Sequence, residues 1–446
     1  MRSFCTCLCL FVIGCGPAAD DPGASMDEGS GGPSGGAMVG AGGSSAAGTS
    51  AGGGASTGSS GRGGGVAGSG GRGGGGAGGS TAHGATTDGG ATDAGARGTA
   101  AHRVVPCDSA NVGVWEDITP PSVVADSDFI AKKGFGTNAF VIDGSNTANI
   151  TLGTDGIGIY RTTNCGASWT HINSGQNAAA LDGGAQWSMA IDPVDPNVIY
   201  AVSGYGTNGV FKTTNAGIDW KQTLAPEFAH VFVYDGFTAQ VRVDPTDHLH
   251  VVITPHFTCQ AGHSETCFLE TKDGGTTWTA VENAPSSGEG ARITLVDHNT
   301  WFSGLGFGGL FRTANAGKSW TRVTSSDSYA YEVFHRPNGK YYLPIAFGLA
   351  QSDDGITWAT PPNSPGANVV TTSGTRIYVG TGSHCVTGHA EAINPISSAP
   401  IDNPTTWTID KSYSNHWGSG DLQYDADHHM LYTSNCLGGF WRVRTE

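Results

Sequence analysis

The chain is poor in charge. Asp, Glu, Lys and Arg make up only 13% of its 446 residues, and 22 Lys and Arg against 38 Asp and Glu leave a net charge of −16. Nucleic-acid binding calls for the opposite, a basic face that neutralises phosphates. That class of partner is excluded. The stretch from 18 to 101 also lacks large side chains, being mostly Gly, Ala, Ser and Thr. Such a segment has nothing to bury against the entropy cost of ordering. Residues 16–104 therefore read as a flexible tether, with an r.m.s. reach on the order of 50 Å. The apolar run at the start, about ten residues, falls short of the roughly 20 that span a bilayer. No two of the six cysteines beyond the tether form a CxxC pair, so a structural zinc knuckle is not indicated.

What is present begins with "MRSFCTCLCLFVIGCGPAADD". Arg2, an apolar run and Val12-Ile13-Gly14-Cys15 have the form of a secretory signal. The segment resembles the bacterial lipoprotein signal, in which cleavage leaves the cysteine to carry lipid. Residues 1–15 are then the signal peptide and Cys15 the lipidated residue. The expected location is outside the cytoplasm, lipid-anchored to the envelope or cell surface, or secreted, with the membrane met only through that anchor. Cys107, Cys165, Cys259, Cys267, Cys385 and Cys436 are an even number, as disulfides in an exported domain require.

One phrase recurs through residues 105–446. "RTTNCGASW" ends at Trp169, "KTTNAGIDW" at Trp220, "ETKDGGTTW" at Trp278 and "RTANAGKSW" at Trp320, with a shorter "QSDDGITW" ending at Trp358. A degenerate "NPTTW" follows at Trp407, and the Trp spacings are 51, 58, 42, 38 and 49. Each phrase closes a frame of alternating apolar residues and tight turns, the pattern of a four-stranded propeller blade of about 40–50 residues. Six blades follow. The C-terminus adds three strands of a seventh and stops where the Trp strand is due; "VGVWEDITP", with Trp115, supplies it from the other end. The expected fold is all-β: a seven-bladed β-propeller of four-stranded antiparallel blades closed by an N-terminal strand, which removes free sheet edges.

The pattern Ser/Thr-x-Asp-x-Gly-x-x-Trp, matched in full by Thr271, Asp273, Gly275 and Trp278, is similar to the Asp-box (BNR) repeat of sialidase-like propellers. The segment "DPVDPNVIYAVSGYGTNGVFKTTNAGIDW" resembles a blade of the family-74 glycoside hydrolases. Asn164, Asn215 and Asn315 replace the Asp elsewhere. The resemblance implies that these turns lie opposite the active face. The phrase itself reads as mechanical, with Asp or Asn accepting bonds from its own turn, Gly permitting positive φ and Trp packing between blades.

Chemistry is then expected on the other face, where the first strands begin and the second strands end. Cation, ring and hydroxyl gather there. Arg242, Arg292, His256, His416, Tyr234 and Tyr331 match what β-elimination at a uronic acid needs: a cation on the carboxylate, a base, and an acid for the leaving oxygen. In that reading Arg242 and Arg292 clamp the carboxylate, His256 or His416 is the base, and Tyr234 or Tyr331 the proton donor. Trp187, Tyr205, His230, Asp235, His384, Trp417 and Asp421 are the expected substrate contacts, the aromatics giving flat amphipathic area for sugar rings. Arg242 needs an anionic partner, either a ligand or one of Asp235, Glu332 and Asp421. A glycoside hydrolase would instead use two carboxylates among Asp155, Asp235, Glu289, Glu332 and Asp421. A propeller that binds glycan or protein without chemistry is the third reading. The expected partner is a polysaccharide or oligosaccharide, an acidic one under elimination, met by a monomer. No spacing requires a cofactor or metal, though His and Asp on the rim leave room for a divalent cation. The blade register pairs Cys107 with Cys165, Cys259 with Cys267 and Cys385 with Cys436, each local enough for a disulfide.

Overall fold

The computed structural model describes residue 107 and residues 110–446, apart from 126–135, 225–237, 257–267, 282, 286–290, 306–307, 326–331, 337–338, 346–347, 382–394 and 414–417. Seven antiparallel sheets follow one another along the chain. Blades 1 to 6 occupy 137–171, 185–222, 238–280, 292–322, 334–359 and 369–410. Blade 7 joins the last three strands, from Asp421 to Arg444, to the N-terminal strand Trp115–Asp117, which pairs antiparallel with Phe440–Arg444. The architecture is the seven-bladed propeller with a closing N-terminal strand. Among the described residues, blade 5 is the one short of a full strand: its fourth has shrunk to the single bridge between Gln351 and Ala359.

The core is divided among the seams between blades. Tyr200, Val202 and Val210 of blade 2 pack against Val241, Val251, Ile253 and Leu269 of blade 3. The repeated Trp does what its position suggests. Trp278 of blade 3 lies in that seam, 3% exposed, and donates its indole N–H to the Thr223 carbonyl of blade 2. Trp220 is fully buried with Ile172 and Ile159 of blade 1.

The turns before each Trp are built alike whether they carry Asp or Asn. Asp273 accepts from the Thr277 N–H (2.8 Å), and Asn164, Asn215 and Asn315 accept from the N–H four residues on (2.9, 3.0 and 3.0 Å). One side-chain oxygen suffices for that bond, so Asn replaces Asp without changing the turn. The first strand of each blade starts, and its second strand ends, on the opposite face. That face positions the candidate site.

Candidate functional site

Trp187, Tyr205 and His256 come together at the rim of blades 2 and 3. The ring centroids of Trp187 lie 5.3 Å from Tyr205 and 5.5 Å from His256, and Tyr205 meets His256 edge-on at 5.9 Å. Each is placed by a local device. Trp187 is the extra residue of a bulge between Gln186 and Ser188, and bulges re-aim side chains at sheet ends. Gln186 anchors the bulge by donating to the Leu181 and Gly184 carbonyls (2.8 and 2.9 Å) and accepting from the Thr154 N–H. Tyr205 stands on left-handed backbone, φ 53°, with its side chain exposed. A bulky residue there is an outlier that surrounding structure must hold. The hold comes from Gly206, where an added Cβ would fall 1.8 Å from the Gly183 carbonyl oxygen.

His256 follows the second strand of blade 3 and is buried. Burial, helped by the nearby Arg292 cation, pulls its pKa down to about 4, so the imidazole is neutral over most of the working range. Arg292 begins the first strand of blade 4, tied to blade 3 by the Thr254 hydroxyl donating to the Ala291 carbonyl at 2.8 Å. Three rings and a cation therefore share one rim.

A second polar cluster crosses the channel. Arg242 of blade 3 donates from Nε and Nη2 to the two carboxylate oxygens of Glu332 at the start of blade 5 (2.7 and 2.5 Å), and from Nη1 to Ser188 Oγ (2.9 Å). Gln240 adds a bond to Glu332 (2.9 Å) and accepts from the Ile293 N–H. The anionic partner that Arg242 requires is thus an internal one. Asp421 of blade 7 accepts from the Leu422 N–H and the Gln423 amide (2.7 and 2.9 Å). Burial pushes its pKa up, against the Gln423 bond and Arg242, with Glu332 adding to the rise. Val141, Ala190, Leu295 and Val333, at positions matching Arg242, pack in the seams.

Of the other expected residues, Tyr234, His230, Asp235, Tyr331, His384, His416 and Trp417 lie outside the described residues, as do Glu289, Cys15, Cys259, Cys267 and Cys385. Asp155 is buried, its N–H bonded to the Gly136 carbonyl and its backbone bridged to Ala185. Cys107 and Cys165 form a disulfide with Cα atoms 5.7 Å apart, and Cys436 is disulfide-bonded. Sequence reasoning passed over Gln240 and Ser188. The sequence carried no signal for either, since the first-strand glutamines at 186, 240 and 423 fall at different positions of the blade.

No family model matches the chain. The xyloglucanase Xgh74A of Acetivibrio thermocellus is 24% identical over 190 residues, 40% of this chain and 20% of that protein. The match thus spans about a fifth of the curated relative. Among solved structures, the family-74 enzyme of Niastella koreensis superposes with a TM-score of 0.54 at 17% identity, covering 70% of this chain and 53% of that one. The fold is that of the family-74 propellers. YCF48 from Cyanidioschyzon merolae shares it at a TM-score of 0.52 and 12% identity, over 74% of this chain and 99% of that one. At such identities the likeness is one of architecture, and both enzymes and other propellers share it.

Proposed function

We propose that this chain is an exported carbohydrate-acting propeller of the glycoside-hydrolase kind, holding a polysaccharide across the channel mouth with a sugar ring on Trp187, Tyr205 and His256. The three-ring cluster carries the proposal. Tyr205, exposed, and Trp187, half-buried, form an aromatic shelf offering the apolar area that sugar C–H faces seek, with the buried His256 ring packed against both and neutral above about pH 4. Similarity to a xyloglucanase points the same way.

Hydrolysis fits the channel better than elimination. Elimination needs free cations for a uronate carboxylate, and of the two expected clamps the Arg242 guanidinium is committed to Glu332 and Ser188, which leaves Arg292 alone for that role. Asp421, its carboxyl pushed up by burial, is suited to donate a proton to a leaving oxygen. Glu332, Asp155, Asp235 and Glu289 are the candidates for the second carboxylate. One observation favours a binding-only propeller: both Glu332 oxygens are already occupied by Arg242. The 1–15 signal, lipid on Cys15 and the 16–104 tether would hold the propeller away from a membrane. The Cys107–Cys165 disulfide suits that export.

The test is an assay of the full chain on neutral and uronic polysaccharides, following reducing ends, unsaturated-uronate absorbance and binding together. Hydrolysis predicts reducing ends without absorbance, abolished by Asp421→Asn, and binding weakened about tenfold or more by Trp187→Ala, as loss of roughly 1.4 kcal/mol of stacking would give. Absorbance would establish elimination instead. Binding without either product, still sensitive to Trp187→Ala, would establish the capture reading. Binding indifferent to Trp187 and Tyr205 would overturn the shelf.

A further inference from the structure

On the Asp-box face the first hairpin of several blades turns on an aspartate. Asp143, Asp192, Asp244 and Asp425 each accept, through Oδ1, the backbone N–H two residues on, at 2.8, 2.8, 2.8 and 2.9 Å. The second oxygen is left for another partner. In blade 1 it takes the Asn149 amide (3.0 Å), in blade 2 His248 Nδ1 (2.9 Å) and in blade 7 His428 Nδ1 (2.6 Å). Blade 3 differs. There Asp244 Oδ2 faces two histidines: His250 Nδ1 at 2.9 Å and, from blade 4, His298 Nδ1 at 3.8 Å.

Asp244 and His250 have no exposed side-chain surface, whereas the His298 side chain is 48% exposed. One donor atom from each of the three lies within 4.8 Å of the others. Behind them, His250 Nε2 donates to Glu270 Oε2 (3.0 Å), and Lys272 holds the other Glu270 oxygen (2.8 Å). A histidine bridging two carboxylates would account for Asp244, His250 and Glu270. His298 packs its ring against His250, centroids 5.4 Å apart, and turns Nδ1 towards Asp244 from 3.8 Å, beyond hydrogen-bond reach.

We propose that Asp244, His250 and His298 form a binding site for a divalent cation of the zinc class. Two imidazole nitrogens and one carboxylate oxygen suit zinc, whereas calcium and magnesium take oxygen ligands. Bonds of about 2.0–2.1 Å at tetrahedral angles put ligand atoms about 3.3 Å apart. The present separations of 2.9 and 3.8 Å lie on either side of that value. The pattern behind the ligands also fits, because a ligating histidine usually donates its other ring N–H to a carboxylate, as His250 does to Glu270. On binding, the Nδ1 proton of His250 leaves to solvent and the Nε2–H stays on Glu270. Exposure of His298 gives the ion its way in and leaves a fourth position for water. The site would join blade 3 to blade 4, on the face opposite the aromatic shelf.

The test is titration of the untagged, chelator-stripped full chain with ZnCl2 by calorimetry, with CoCl2 as a spectroscopic probe. Expected are a saturable site of one equivalent, visible tetrahedral cobalt bands, and a Tm raised by zinc. Because His298 is exposed, His298→Ala should fold normally. It should lose about a hundredfold or more in zinc affinity, along with the cobalt bands and the Tm shift. His248→Ala, which removes the one-histidine counterpart on Asp192, should change none of these. Absence of a stoichiometric zinc site, full binding in His298→Ala, or tighter binding of calcium than of zinc would each overturn the proposal.

Discussion

Neighbouring residues of the repeated turn carry opposite demands on the backbone. Ala316 and Gly317 both have positive φ, 55° and 77°. At Ala316 the only cost is the left-handed conformation itself, roughly 1–2 kcal/mol for a residue with a Cβ. At Gly317 there is no room either: a Cβ would fall 2.5 Å from Val281 Cγ1 and 2.9 Å from the Trp301 ring. Ala316→Gly is therefore expected to leave stability unchanged or raise it by up to about 1 kcal/mol, after the entropy that glycine adds to the unfolded chain. Gly317→Ala should lower it by about 2–4 kcal/mol through crowding and strain. Denaturant titration of the two variants checks the contrast, and equal effects would refute it. His256 sets a pH dependence at the same scale. Its folded pKa of about 4 lies below the usual 6.5, so between those values the unfolded chain binds the extra proton. Stability contributed by the neutral ring is complete above about pH 6.5 and is lost as pH falls towards 4, by up to about 3 kcal/mol. His256→Phe should flatten the Tm profile over that window. An unchanged slope would mean the imidazole is not held neutral.

At the scale of the blade, how much could be read in advance depended on sequence distance. Strand alternation and the Trp phrase are local, so blade number, order and the closing strand were legible, and so was the mechanical role of Asp273 and its Asn substitutes. Even the missing fourth strand of blade 5 has its trace, in the shortened phrase "QSDDGITW". The need of Arg242 for an anion was legible too. Which anion was not, because Glu332 lies 90 residues away and is selected by the angular spacing of blades 3 and 5 across the channel. The bulge that presents Trp187 interrupts alternation and carries no composition signal. The Arg242–Glu332 pair yields a prediction of its own. Arg242→Met leaves the Glu332 carboxylate with Gln240 but without its cation, and should cost about 1–3 kcal/mol, tempered by Glu332 keeping a third of its side chain exposed. Adding Glu332→Gln should recover most of the loss. A double variant as unstable as Arg242→Met alone would show that packing of the Arg stem, not the charge pair, is what the channel needs.

For the whole molecule, the decisive contact is the one that closes the ring. Trp115–Asp117 pairs with the last strand in the register Trp115 to Val443 and Asp117 to Trp441. Arg442, 5% exposed, is held by Glu116 through Nε and Nη2 (both 2.7 Å) and reaches the Cys165 carbonyl of blade 1. The Cys107–Cys165 disulfide, 58 residues apart in sequence, ties the same segment to blade 1; in the chain-entropy view a loop of that length contributes roughly 4 kcal/mol. Deleting residues 105–119 would uncover the Phe440–Arg444 edge, an invitation to pairing between copies. The deletion is expected to aggregate or dimerise, seen by light scattering. The antiparallel pairing also brings the start of the closing strand beside the end of the chain: the Gly113 N–H donates to the Arg444 carbonyl at 2.8 Å. A chain that begins after residue 119 and carries residues 113–119 behind Glu446 through a short turn should therefore close the same ring from the other side. It should be monomeric and cooperative, with a stability below the parent by about the disulfide's contribution, as Cys107→Ser in the parent would calibrate. If the permuted chain aggregates like the deletion while Cys107→Ser remains a stable monomer, closure depends on the strand's covalent order rather than its place in the sheet.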